Sequence, residues 1–146
     1  MSTRREAREW GIQLLFQLDM NPAEMDSVLS TFWSDKKAEP KIREFTEQLV
    51  RGVRCNLVEI DGTIKKYAQN WRIDRMAALD RNVMRMAIYE MSFCKDIPPI
   101  VVINEAVDIA KYFSSNESGK FVNGILDRIR KDMESTVLPG TQHEAK

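Results

Sequence analysis

Between Thr3 and Leu18 the apolar residues recur at helical spacing. Ala7, Trp10, Leu14 and Leu18 fall on one face of the helical wheel, with Gly11 and Leu15 at its edge. One aromatic stands outside this stripe. Phe16 falls on the opposite side, level with Arg5, Arg8 and Ile12, which asks why a helix with a complete core face places a phenylalanine among arginines. The segment "DMNP" ends this helix, because a residue before proline avoids helical backbone. A shorter helix is predicted over Ala23–Trp33, followed by the polar linker "SDKKAEP", whose Pro40 suits the first position of the next helix.

From Lys41 onward, Ile42, Phe45, Leu49 and Val53 form a stripe that Leu57, Ile60, Ile64 and Tyr67 continue, with a break expected near Cys55-Asn56. "QNWRIDRM" reads as a turn or short helix. Leu79–Cys94 is apolar nearly all round, with Arg81, Arg85 and Ser92 on one strip, the pattern of a central buried helix. In "DIPPIVVINEAVDIAKYF" the run Ile100–Ile103 suits a strand, but its continuation is helical. Val102, Ile103, Ala106, Ile109, Ala110 and Phe113 share one face, and Asn104, Glu105, Asp108 and Lys111 the other. Ser114 and Glu117 have capping-box spacing ahead of a last helix, whose core face is Val122, Ile125, Leu126, Ile129 and Met133. The pattern predicts an all-α protein of about seven helices: a single domain over 1–137, then a polar tail over 138–146 read as disordered.

Composition narrows the function classes. The 22 basic and 22 acidic residues cancel to a formal net charge of zero, so any affinity for nucleic acid must come from local patches. Cys55 and Cys94 stand far apart and the single histidine, His143, lies in the tail, so neither a disulfide framework nor a zinc site is expected. Both thiols are expected to be buried in a cytosolic protein. No stretch has the length and apolarity of a membrane span, and "MSTRREARE" leads into no hydrophobic signal region, so the expected location is the cytoplasm.

The residues offer little for catalysis. No phosphate-cradling glycine loop, nucleophile–base pair or metal cage stands out, so no enzyme activity, cofactor or metal is expected. Glu105 and Asp108 read as a solvated polar face, Asp74 and Asp80 are equally weak as acids, and Arg85 is expected to neutralise Glu90 or Asp80. Binding fits better. Arg4, Arg5 and Arg8 suit phosphates, and Phe16 beside them suits stacking on an unpaired base. The plainer reading packs Phe16 against a neighbouring subdomain. A second patch, "SGKFVNGILD", repeats the pairing with Lys120, Phe121 and Asn123, and sets Gly124 inside a helix, where close helix packing is the commoner reason.

Four blocks in order, "RREAREWGIQLLFQ", "WRIDRMAALDRNVMRMAIYEM", "IPPIVVINEAVDIAKYF" and "SGKFVNGILDRI", resemble the NusB family from about Thr3 to Ile129. The resemblance implies two small helical subdomains packed side by side and a non-enzymatic transcription antitermination factor. It implies binding to the single-stranded boxA element of ribosomal RNA leaders together with the ribosomal protein NusE, and indirect contact with other Nus factors and RNA polymerase. Carried over by position, Arg4, Arg5 and Arg8 would hold phosphates, Lys120 and Phe121 form a second RNA patch with Asn123 beside it, and Phe16 lies where RNA and partner meet. Asp80 and Glu117 match acidic positions at the partner-protein or RNA edge. Glu6 interrupts the basic run, which implies that the chain alone grips RNA weakly. Other readings are a helical protein-binding adaptor, a homodimer hiding the basic face, and a helical domain of the kind that precedes ribosomal RNA cytosine methyltransferases.

Overall fold

The computed structural model describes residues 3–144 except Asn70, with side chains described over 4–135. Its elements are α1 (Thr3–Met20), α2 (Met25–Ser34), α3 (Pro40–Cys55), α4 (Leu57–Tyr67), a 3-10 turn (Ile73–Arg75), α5 (Ala78–Phe93), α6 (Pro99–Phe113) and α7 (Asn116–Glu144). Among the described residues there is no strand, so the helical reading of Ile100–Ile103 holds. The tail expected from Leu138 lies outside the residues whose side chains are described.

Local chemistry sets the boundaries. The Glu24 carboxylate accepts from the N–H groups of Asp26 and Ser27 at 3.2 and 2.8 Å, so α2 starts two residues later than Ala23. Pro40 and Pro99 each occupy a first helical position, where a missing N–H costs nothing. Asn56 separates α3 from α4, its side-chain amide donating to the Gly52 carbonyl at 2.8 Å. At α7 the cap is Ser115, not Ser114. Its hydroxyl accepts from the Ser118 N–H at 3.1 Å, one residue along from the predicted capping pair.

The helices form two small groups around one continuous core. In the first, α1 packs on α3, and Trp10, Phe32 and Trp33 meet edge to face at 5.0–6.1 Å to hold α2. The second comprises α4 to α7. Helix α5 is the shared axis, in contact with α1, α3, α4, α6 and α7. Every residue from Asp80 to Met91 is buried, as the near-continuous apolar pattern predicts. Gly52 lets α3 reach this axis closely, since a Cβ there would stand 2.2 Å from the Tyr89 ring.

Burying α5 on all sides also buries its charges, which must then be paired. Arg81 donates to Asp19 at 2.9 and 2.6 Å, and the Asn82 amide joins at 3.1 Å. Arg85 grips Asp61 at 2.8 and 2.9 Å rather than Glu90 or Asp80. Five residues correspond to about 140° around a helix, so Arg85 faces α4 while Glu90 and Asp80 point elsewhere. Burial alone would raise the Asp19 carboxyl, but the hydrogen bond from Arg81 and the charges of Arg85 and Arg81 outweigh it and hold it below the usual range. The thiols divide: Cys94 is buried, its thiol pushed up by burial, whereas Cys55 at the surface end of α3 is exposed, contrary to expectation.

Candidate nucleic-acid interface

The side of α1 carrying Arg5, Arg8 and Ile12 is not open to solvent. Ile12 is buried and Arg8 is only 4% exposed, beneath α5 and α6. Helix α1 is therefore packed on two sides, by α3 and by α5, leaving Gln13, Phe16, Gln17 and Met20 on a narrow outer strip. Buried beside it, the Arg8 guanidinium donates to both oxygens of Glu90, at 2.9 and 2.8 Å, and reaches Glu105 at 3.4 Å. Arg5 donates to Glu105 and, at 3.1 Å, to Asp108. Arg4 lies at the rim, 3.4 Å from Asp96 and 4.6 Å from the Phe45 ring centre.

Glu105 and Asp108 are thus counter-charges to the arginines of α1 instead of a purely solvated face. The hydrogen bond from Arg5 holds the Glu105 carboxyl below its usual range, and the same bond raises Arg5. Two consequences follow for binding. The guanidinium groups are held in fixed orientation, and an incoming phosphate must compete with carboxylates already in place. Of the three candidate arginines, Arg4 and Arg5 reach the surface, while Arg8 is part of the interior.

Phe16 is 45% exposed and lines an open groove with Ile12, Phe32, Lys36, Leu79 and Phe113. Phe113, the last residue of α6, is also substantially exposed. The groove is apolar with one cation at its edge, Lys36, whose amine lies 4.0 Å from the Phe32 ring centre. Nothing packs over Phe16, so the plainer reading of it as a subdomain contact does not hold.

The second patch is assembled by the start of α7. Lys120 is exposed and Phe121 half-buried, and both line a groove with Asp80, Glu117, Arg75 and Trp71. Four residues singled out from the sequence are therefore brought together, and two that were not, Trp71 and Arg75, join them. Trp71 meets Phe121 edge to face, ring centres 5.5 Å apart at 72°. Asp80 is 8% exposed, its Oδ1 has no hydrogen-bond partner, and burial raises its carboxyl above the usual range. Asn123 is exposed but does not line the groove. Gly124 is not there for close packing, because a Cβ at that position would meet nothing within 4 Å.

The two grooves lie on either side of the first turn of α5. Leu79 lines one and Asp80 the other, while α6 ends at Phe113 in the first groove and α7 starts beside the second. From Glu105, which holds Arg5 and Arg8, to Phe113 is about 12 Å along α6. Arginines, apolar groove and Lys-Phe patch thus follow one strip. The one signal for Trp71 was a lone tryptophan in a polar turn. Glu90 and Glu105 gave none, since each lies more than eighty residues from its arginine in sequence.

Among the described residues no group of His, Cys, Asp and Glu could hold a metal ion, and no helix is long and apolar enough to cross a membrane. Comparison with known proteins agrees with the strip's composition. Residues 5–131 match the model of the NusB family. Transcription antitermination protein NusB of Myxococcus xanthus is 44% identical over 133 residues, covering 88% of this chain and 95% of that protein. Its counterpart in Koribacter versatilis is 42% identical over 134 residues, covering 91% and 92%. Among solved structures, T. maritima NusB superposes with a TM-score of 0.81 at 41% identity, over 88% of this chain and 90% of that one. A chain from the crystal structure of antitermination factors NusB and NusE in complex with dsRNA gives 0.82 at 28% identity, over 90% and 98%. With the fold, the motif order and these relatives in agreement, the chain belongs to the NusB family of transcription antitermination proteins.

Proposed function

We propose that this chain binds single-stranded boxA RNA of ribosomal RNA leader transcripts together with the ribosomal protein NusE, and so helps RNA polymerase in the cytoplasm to read through terminators alongside other Nus factors. The observation that supports this best is the strip itself. Surface arginines, an exposed phenylalanine groove and a Lys-Phe patch follow one edge of the molecule. In this reading Arg4 and Arg5 hold phosphates, and Arg8 orients the start of α1 from below. Phe16 sits where RNA and NusE meet, Lys120 and Phe121 take the next nucleotide with Asn123 beside them, and Asp80 and Glu117 mark the acidic edge. A relative solved with NusE and dsRNA makes those two partners the first to try.

Zero net charge and the carboxylates on α1's arginines predict weak binding by the chain alone and a shallow salt dependence, each neutralised phosphate adding roughly 0.7 to the slope for single strands. Fluorescence anisotropy of a boxA-type RNA against a scrambled RNA, with and without NusE, tests the reading beside Arg5→Ala, Phe16→Ala and Phe121→Ala. Preferential binding that tightens with NusE and weakens in the variants supports it. Equal, poor binding of both RNAs under all conditions leaves the strip as a protein-docking face. Mass in solution then tells an adaptor from a homodimer.

A further inference from the structure

The groove between the turn at residues 71–77, the first turn of α5 and the start of α7 gathers groups whose interactions are unmet. Trp71 is 58% exposed, with Phe121 standing edge-on beside it. Arg75 and Lys120 are exposed and neither forms an ion pair among the described residues. Asp80 is more than nine-tenths buried in the wall, with one carboxylate oxygen unpartnered. All five line one cavity of about 540 Å³, ample for a single nucleotide.

The chemistry of the unmet groups defines the ligand. A carboxylate accepts hydrogen bonds only, so the ligand must bring donors to Asp80. Two unpaired cations at the rim call for an anion, and an exposed indole calls for a flat ring. A nucleotide supplies all three. Among the bases, adenine and cytosine set their amino donor beside a ring-nitrogen acceptor, and uracil sets its single N–H between two carbonyls. Guanine alone presents two adjacent donors, N1–H and N2–H, matched to the two oxygens of a carboxylate. The terminal torsion of an aspartate is soft, so the unpartnered oxygen can turn to meet them. An arginine from a protein partner would satisfy Asp80 equally, but it would enter against Arg75 and Lys120.

We propose that this groove is a nucleobase pocket selective for guanine, with the base stacked on Trp71 beside Phe121, its N1–H and N2–H donating to Asp80, and its flanking phosphates on Arg75 and Lys120. The inference rests on the RNA-binding reading above and deepens it. Glu117, which also lines the groove, repels phosphate and keeps the backbone on the side of Arg75 and Lys120.

The test uses the full chain and short fluorescein-labelled oligouridylates carrying one central guanosine, inosine or adenosine, read by anisotropy at low salt. Wild type is compared with Asp80→Asn, Trp71→Ala, Trp71→Phe and Phe121→Ala, each checked for helicity and melting temperature. Guanosine binds about tenfold or more tightly than adenosine, with inosine, which lacks the N2 amine, in between. Asp80→Asn levels the three. Trp71→Ala weakens all by roughly tenfold, with Trp71→Phe in between, and abolishes the quenching of tryptophan fluorescence by RNA. If the three oligonucleotides bind alike to wild type while Phe121→Ala still weakens all of them, the pocket is wrong and the RNA reading stands. If none binds, with or without NusE, the RNA reading itself fails. If Asp80→Asn breaks association with NusE and leaves base preference unchanged, the groove is a protein contact and the inference is overturned.

Discussion

Removing Glu90 tests whether Arg8 is part of the scaffold or part of the RNA surface. The pair is nearly inaccessible, with side chains 5% and 1% exposed, and its two hydrogen bonds measure 2.9 and 2.8 Å. Two charge-assisted bonds at roughly 1.5–3 kcal/mol each set the scale. Independently, breaking a buried pair and stranding one charge costs about 3–5 kcal/mol. Glu90→Gln leaves Arg8 with only the 3.4 Å contact to Glu105, so the loss belongs at the lower end. Arg8→Ala strands Glu90, which has no other cation near it, and belongs at the upper end. At roughly 3–5 °C per kcal/mol for a chain of this size, Arg8→Ala melts more than ~10 °C lower. The double variant Arg8→Met/Glu90→Leu recovers most of the loss, because no unpaired charge remains. Urea unfolding followed by circular dichroism gives the double-mutant cycle, and anisotropy with boxA-type RNA on the same samples gives binding. If Arg8→Ala unfolds within about 1 kcal/mol of wild type yet loses RNA with a reduced salt slope, Arg8 is a phosphate ligand and the reasoning is refuted.

Four further outcomes are expected. Phe16→Ala changes stability by less than about 1 kcal/mol, since the ring is half exposed, but weakens the NusE–RNA assembly in a pull-down or anisotropy assay. Gly52→Ala destabilises by about 1–3 kcal/mol, because its Cβ meets the Tyr89 ring, whereas Gly62→Ala, with nothing within 4 Å, leaves stability unchanged or raises it by up to ~1 kcal/mol; urea melts separate them. The Asp19 carboxyl, lowered in the fold, contributes stability above the ordinary carboxylate range that is lost as pH falls through the folded value; wild type therefore weakens below about pH 4, and Asp19→Asn starts weaker at neutral pH with a flatter acid limb in pH-dependent melts. Glu105→Gln releases Arg5 from its strongest counter-charge and raises affinity for single-stranded RNA a few-fold at low salt, with a steeper salt slope.

The amino-acid pattern alone determined what is local or periodic. Seven helices, the prolines that open α3 and α6, the break at Asn56 and the burial of α5 all follow from 3.6-residue spacing and from backbone chemistry within a few residues. The order of four motifs carried the family. Side-chain partners were another matter. On the wheel of α1, Arg8 and Ile12 looked solvent-facing because a wheel assumes a single buried side, whereas α5 and α6 cover the second. Glu90 meets Arg8 across 82 residues, Arg85 turns to Asp61 instead of Glu90, and Trp71 reaches Phe121 from a turn with no periodicity. Such contacts depend on how helices pack, which fixes the angle at which each side chain leaves the axis. The chain could show which residues carry charge and aromatic rings; only the packing decided which charges are spent inside and which are left facing a ligand.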